Sequence, residues 1–339
     1  MQDLRAAIPD RQAFAAIVGA PRCGTTALSD FLSGHPDVCF ATPKEPHYFT
    51  LNDFRQAGDA ALREIIAGDY LPRYFSRRRG DERLLAEGSV SYLYSPETAA
   101  QILRIWPAAK FIICLRDPMT LLPSLHLRNL YQGDETVEDF AAAWRLTDAR
   151  ARGDAIPRSC LDPRLLRYDE IGRLGKHLEA FFDHLGRARC HVVFYDDLVA
   201  RPEQVIAGLL EFLDLPDDGR RALPRSRGGR IYRIGGLQRF LKRPPVVMRG
   251  VMAGWHYRQR IKKLKQRPVL VEAAVAGVIR LHKAALRLNG RSARPASVPA
   301  DLRRDIRAAF LDDVALLSRL TGRDLSHWLA VDAPPADRA

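Results

Sequence analysis

Residues 14–49 read FAAIVGAPRCGTTALSDFLSGHPDVCFATPKEPHYF. An apolar run, Phe14 to Val18, meets a turn holding Gly19, Pro21 and Gly24, and a helical pattern with Leu28, Phe31 and Leu32 on one side follows. The order is strand, glycine loop, helix. Gly34 and Pro36 stop the helix, a permissive residue past its end and a proline just beyond.

Such a loop captures anions, because the first amides of the helix have no internal partner and the N-terminus carries partial positive charge. The spacing from Gly19 to Gly24 matches the first part of the Walker pattern, yet Thr25 stands where a nucleoside triphosphatase has its lysine. That lysine and a magnesium ion hold the β and γ phosphates of a triphosphate. Here the cation is Arg22, inside the loop, which suits a donor with one phosphate-like bridge better than ATP. The alternative is an ordinary strand-to-helix turn that binds nothing.

Outward from this unit the chain alternates strands and helices. Phe54 to Arg79 has a helical pattern ending in Arg77, Arg78 and Arg79, read as a solvated surface run. A short strand spans 84–87, a polar loop follows, and Pro96 opens a helix at its first position. Lys110 to Leu115 has the composition of a buried strand with Arg116 at its carboxyl end; Asp117 and Pro118 open the helix carrying Ser124, His126 and Arg128. Helices over 136–152 and 165–185 flank a loop at 156–161, and a strand over 190–195 ends in Asp196 and Asp197. Those two acids read as caps for the helix starting near Pro202, not as a magnesium site, given the missing lysine. A final surface helix covers 299–320, and Leu325, Trp328 and Leu329 read as core. The alternation predicts an α/β fold with a three-layer α/β/α arrangement, a central parallel sheet and a P-loop-like phosphate-binding loop. Ligands of such sheets gather at strand carboxyl ends, which places Arg116 on the same edge as the glycine loop.

Composition bounds the reading. The 339 residues are 47% hydrophobic and 27% charged, ordinary globular material. No stretch approaches the length of a membrane span, and the first residues carry acids and lack an apolar core, so they do not read as a secretory signal. Cys23, Cys39, Cys114, Cys160 and Cys190 are odd in number and widely spaced, as free thiols in a reducing compartment are, and a cytoplasmic location follows. No metal site is expected. The formal net charge is +13, and residues 220–267 hold sixteen Lys or Arg and no Asp or Glu. Partners of negative charge fit: a bisphosphate donor, an anionic glycan or lipid surface, or, least favoured, nucleic acid. Within that region 224–245 is a Gly- and Arg-rich loop, and 246–266 is a basic helix with Met248, Val251, Met252 and Trp255 as an apolar stripe, read first as core and second as a contact to an anionic surface.

Glu45 and His47 lie in the polar turn KEPHYF, which follows the first unit closely enough to fold back over its loop, and either serves as a general base. The bland reading is that Lys44 and Glu45 simply pair.

The sequence resembles the sulfotransferases that use 3'-phosphoadenylyl sulfate, especially the branch acting on sugar hydroxyls or amines. The resemblance rests on APRCGTTAL, on KEPHYF, on FIICLRDP followed by Ser124, and on the closing GRDLSHWL, in the family's order. It implies one sulfotransferase domain over 1–330 followed by a disordered tail, 331–339, and a small-molecule, glycan or lipid acceptor. It implies Glu45 as the base with His47 second, and Arg22, Lys44 and the loop residues Cys23, Gly24, Thr25 and Thr26 around the transferred group. Arg116 and Ser124 would hold the 3'-phosphate, with Arg227, Arg230 and Arg233 as candidates for a closing basic segment. YDDL, 195–198, also fits the family. Two positions depart from it. Gly88 stands where the usual pattern has lysine after the glutamate, and Arg22 stands where lysine is more common. Two other classes stay open: a P-loop-type small-molecule kinase, and a non-catalytic module that binds polyanions through 220–267.

Overall fold

Six of the seven residues of β1 (Ala13–Gly19) are buried, as a run of small and branched apolar side chains must be inside a parallel sheet covered on both faces. The computed structural model describes residues 12–224, 229–243, 269–295 and 297–329. The helix 246–266 with its stripe, Arg227 and the tail 331–339 lie outside the described residues.

By their internal contacts the residues form two units, the first comprising Met1–Asp117, Arg173–Ser226 and Phe310–Leu329. It contains β1, the helix α1 (Thr25–Ser33), β2 (Val38–Phe40), β3 (Leu84–Glu87), β4 (Lys110–Leu115) and β5 (Cys190–Phe194). All five strands are parallel, in the order β2-β3-β1-β4-β5, and helices flank the sheet. This is the expected α/β arrangement. From β1 the chain runs to β2 and β3 on one side, and from β4 to β5 on the other, so β1 and β4 flank the switch point at which ligands of open α/β sheets bind. Aromatic pairs lock the layers: Phe14 stacks on Trp106 at 4.3 Å and Phe111 meets Phe181 edge-on at 5.5 Å.

The second unit takes in Pro118–Gly172 and Arg227–Ala309. It contains the helix Pro118–Gln132, a hairpin of β6 (Arg230–Tyr232) and β7 (Gly290–Ser292), the helices Gly235–Lys242 and Val269–Asn289, and a buried ion pair. Arg150 Nη2 lies 2.8 Å from Glu135 Oε2 with both side chains fully buried, and the hydroxyl of Tyr168 and two backbone amides also donate to Glu135. A buried pair persists only when its remaining lone pairs are satisfied in this way.

Local chemistry revises five expectations. The stretch read as a loop from Pro224 carries β6 and the helix Gly235–Lys242, the strand being paired to β7. The helix read over 54–79 is shorter, Asp59–Ile65 then Leu71–Tyr74, joined by a π-turn at Ile66–Tyr70; Pro72 lacks an N–H and crowds the carbonyl four residues back, which widens that turn. Arg78 is buried, not solvated, and reaches Gln12 Oε1 at 3.4 Å. The helix read over 136–152 begins only at Phe140, where the Asp139 carboxylate accepts from the amide of Ala142, and breaks at Leu146. The one read over 165–185 divides at Gly172, and the first-turn amides of Gly175 and Lys176 on its second part are capped by Asp313 at 2.8 and 2.9 Å.

Candidate active site

The loop after β1 is braced from the neighbouring strand. The Ala20 amide donates to the Cys114 carbonyl at 2.8 Å, and Arg116, just past β4, donates from Nη1 to the Arg22 carbonyl at 3.0 Å. The Arg116 guanidinium also lies 4.1 Å over the Tyr195 ring. Arg22 and Gly24 have φ of 68° and 89°, so the loop curls in the left-handed region immediately before the first helical amides. Left-handed residues alternating with right-handed ones turn successive N–H groups inward, which is how backbone nests hold anions. A Cβ on Gly24 would meet Leu198 Cδ1 at 3.1 Å, so the residue serves both conformation and close approach. A cavity of about 460 Å³ opens beside Gly24, lined by Ala27, Tyr195, Leu198, Leu223 and Pro224.

Thr25 is buried at the start of α1, and its carbonyl accepts from Ser29 Oγ at 2.7 Å. Cys23 is fully buried; loss of solvent pushes its thiol far up, with the buried Cys114 adding to the effect, so it is no nucleophile.

The turn KEPHYF folds back over this loop, as the sequence suggested. Tyr48 and Phe49 plug it into an aromatic cluster that includes Phe54, Tyr70, Tyr74 and Tyr92, with ring centroids between 4.8 and 6.2 Å apart. Thus anchored, Lys44 Nζ donates to Thr26 Oγ1 at 3.3 Å and to Glu45 Oε1 at 2.8 Å, tying the turn to α1. His47 Nε2 lies 3.5 Å from Glu45 Oε2, and its Nδ1 is 2.8 Å from Ser91 Oγ. The His47 amide donates to Ser89 Oγ at 2.9 Å and holds the residue at a φ of 50°. Burial works against charge on Glu45, but the His47 hydrogen bond and the charge and hydrogen bond of Lys44 outweigh it and hold the carboxyl at about 2. Gly88 has a structural reason as well. A side chain there would meet Ser29 Oγ at 2.9 Å and the Lys44 stem at 3.5 Å, so the space belongs to Lys44.

Asp196 and Asp197 do not cap the helix at Pro202. They sit in the first turn of the helix Tyr195–Ala200, where Asp197 pairs with Arg201 at 2.5 Å and with Arg323, and Asp196 accepts from Trp328 Nε1 at 3.1 Å. Their work is to clamp the segment GRDLSHWL, whose Leu325, Trp328 and Leu329 are buried as expected. Ser124, buried in the helix Pro118–Gln132, and Arg230, on β6, belong to the second unit.

Sequence reasoning missed Ser89, Ser91 and Thr50, which orient His47, and the role of Tyr195 under Arg116. The alternating serines of EGSVSY were a visible signal, a polar loop at a strand carboxyl end.

A parallel α/β sheet, a phosphate-binding loop after its first strand and a lysine–glutamate–histidine turn over that loop define the class of protein. The chain belongs to the sulfotransferase family, whose sequence signature matches residues 15–219, more than half its length. It is 24% identical over 208 residues to the bifunctional heparan sulfate N-deacetylase/N-sulfotransferase 1 of Caenorhabditis briggsae, matching 59% of this chain and 22% of the relative. It is 28% identical over 203 residues to the heparan sulfate glucosamine 3-O-sulfotransferase 3A1 of Mus musculus, matching 59% of this chain and 45% of that one. The match therefore spans less than half the length of either relative. The crystal structure of a sulfotransferase from Alicyclobacillus acidocaldarius shares the fold, with a TM-score of 0.59 at 24% identity, 93% of this chain and 98% of that one being covered. Among the described residues no helix is long and apolar enough to cross a membrane.

Proposed function

We propose that this chain moves the sulfuryl group of 3'-phosphoadenylyl sulfate to a hydroxyl or amine of a carbohydrate, lipid or natural-product acceptor. The observation that carries this reading is the Lys44–Glu45–His47 turn tied to Thr26 directly over the loop of Arg22 and Gly24. It puts a carboxylate and the Lys44 ammonium together at an anion-binding helix start. The names of the relatives, which act on heparan sulfate at nitrogen and at oxygen, favour a glycan acceptor.

Sulfuryl transfer needs positioning and neutralisation of charge more than covalent help from the protein. Arg22, Lys44 and the amides of Gly24 to Thr26 take the charge that grows on the leaving phosphate bridge. Arg22 supplies it as a fixed, planar cation that does not give up its proton, which leaves proton donation to the bridge, if any is used, to Lys44. Glu45 is the base. His47 has Nδ1 engaged by Ser91 and Nε2 facing Glu45, so the outward lone pairs of the group are those of the carboxylate. The cavity beside Gly24, with the Tyr195 ring and Leu198 in its wall and Glu203 and Arg221 at its lining, is the candidate place for the donor's base. Arg116, Ser124 and Arg230 keep their proposed assignment to the 3'-phosphate, to be tested singly by alanine substitution.

The test is to incubate the purified protein with donor and a panel of glycans, lipids and small hydroxylated or aminated acceptors, reading the gain of one SO3 unit by mass spectrometry. Transfer to at least one acceptor, without added magnesium, is the expected outcome. Transfer of phosphate from ATP instead would replace this reading with that of a kinase.

A further inference from the structure

The proton that Glu45 takes from an acceptor needs an exit, and the low carboxyl belongs to the state in which His47 carries a hydrogen on Nε2 and donates it to Glu45. The hydroxyls behind His47 determine where the exit lies. Thr50 Oγ1 is 3.1 Å from the His47 carbonyl oxygen and 2.9 Å from Ser91 Oγ. A carbonyl has no proton to give, so Thr50 spends its only hydrogen there. Ser91 then donates its own hydrogen to Thr50 and has none left for the imidazole. The 2.8 Å contact between Ser91 Oγ and His47 Nδ1 is consequently a ring N–H donating to the serine. With Nδ1 always protonated, the nitrogen that gains and loses a proton is Nε2, the one facing Glu45 Oε2 at 3.5 Å.

We propose that Ser91 and Thr50 lock the tautomer of His47 so that its Nε2 receives the proton that Glu45 takes from the acceptor. The proposal rests on the reading of Glu45 as base. As the acceptor atom bonds to sulfur, the bond from sulfur to the bridging oxygen breaks and its electron pair leaves with that oxygen. The acceptor's proton goes to Glu45, then to the lone pair of Nε2, leaving an imidazolium beside a regenerated carboxylate. The His47 side chain is 30% exposed and returns the proton to water.

The other charged groups against the pair do not compete. Lys44, on the same turn, has no lone pair to offer while it donates to Glu45 Oε1. Glu87 stands behind Ser89, accepting from its Oγ at 3.2 Å, and is 0% exposed, so it has no route to solvent. Without the hydroxyl pair, a neutral His47 would place its hydrogen on Nε2, toward the carboxylate, and the exit would be closed. Ser91 and Thr50 are thus positioning residues.

Nitrogen-15 spectra of histidine-labelled full-length protein test this, the His47 signals being those lost in His47→Gln. The expected result is an Nδ1–H tautomer for neutral His47, shifting toward Nε2–H in Ser91→Ala and Thr50→Val. In both variants kcat falls about tenfold or more near neutral pH, the scale of a lost proton-transfer step, while KM for the donor stays within about twofold. Ser91→Thr, which keeps the hydroxyl, restores most of the rate. An Nε2–H tautomer in the unaltered protein overturns the proposal, as does unchanged kcat in Ser91→Ala when Glu45→Gln is inactive. Full activity of Glu45→Gln removes the base assignment itself, and the relay with it.

Discussion

Glu87 closes β3 with its carboxyl 0% exposed, and burial pushes it up to about 7 from 4.5, the bonds from Tyr92 and Ser89 opposing only in part. Between those values the folded chain keeps a proton that the unfolded chain has lost. Stability attributable to this group is therefore intact below about pH 4.5 and falls as pH rises through about 7, by roughly 3 kcal/mol in total. Urea unfolding of Glu87→Gln and of the unaltered protein at pH 5 and pH 8 should show the variant gaining by about that amount across the interval; parallel pH dependence would refute the assignment. Glu45 is the opposite case, a carboxylate kept charged by His47 and Lys44. Glu45→Gln is expected to lose about 10²–10⁴-fold in kcat with donor-product binding and melting temperature preserved, as measured by turnover, calorimetry and thermal unfolding. At this scale the places of Glu45, Lys44 and Arg22 were legible, because the polar turn and the glycine loop are local patterns; the work assigned to them is the proposal. Ser89, Ser91, Thr50 and Glu87 were not singled out, because their roles come from contacts more than forty residues away in the chain for the serines that meet His47.

Elements carry the loop and hold its shape. Gly24→Ala must take a left-handed φ and push on Leu198, a cost of about 1–2 kcal/mol that thermal unfolding will register, together with weaker binding of adenosine 3',5'-bisphosphate. Gly175 is tighter. A Cβ there would lie 2.3 Å from the Asp313 carbonyl, so Gly175→Ala forces apart the helices Leu174–Leu185 and Ala300–Thr321 and is expected to destabilise by about 1–3 kcal/mol in urea unfolding, with the loop after β1 untouched. Strands β3 and β4 stood in the sequence at their observed bounds, since apolar runs ended by polar turns leave little choice. Strand β2 did not, because three residues after a proline carry no period to read. The break at Gly172 was equally hidden: the apolar spacing runs on through it, and the cap that starts the next helix is Asp313, 138 residues away from Gly175.

For the whole molecule, charge and fold agree on an anionic ligand: a formal net charge of +13, and a phosphate-binding loop at the switch point of a parallel sheet. Charge alone would also attract any polyanion, with binding that collapses as salt rises. A built nucleotide site differs in being saturable and selective. The most direct measurement is isothermal titration of the full chain with adenosine 3',5'-bisphosphate and, separately, with ATP and magnesium. The account predicts one saturable site for the bisphosphate, indifferent to magnesium and weakened at least tenfold by Arg116→Ala, a loss of the size that removing a charge-assisted phosphate contact brings. No saturable binding of the bisphosphate, or tighter binding of magnesium–ATP at the same loop, would contradict it.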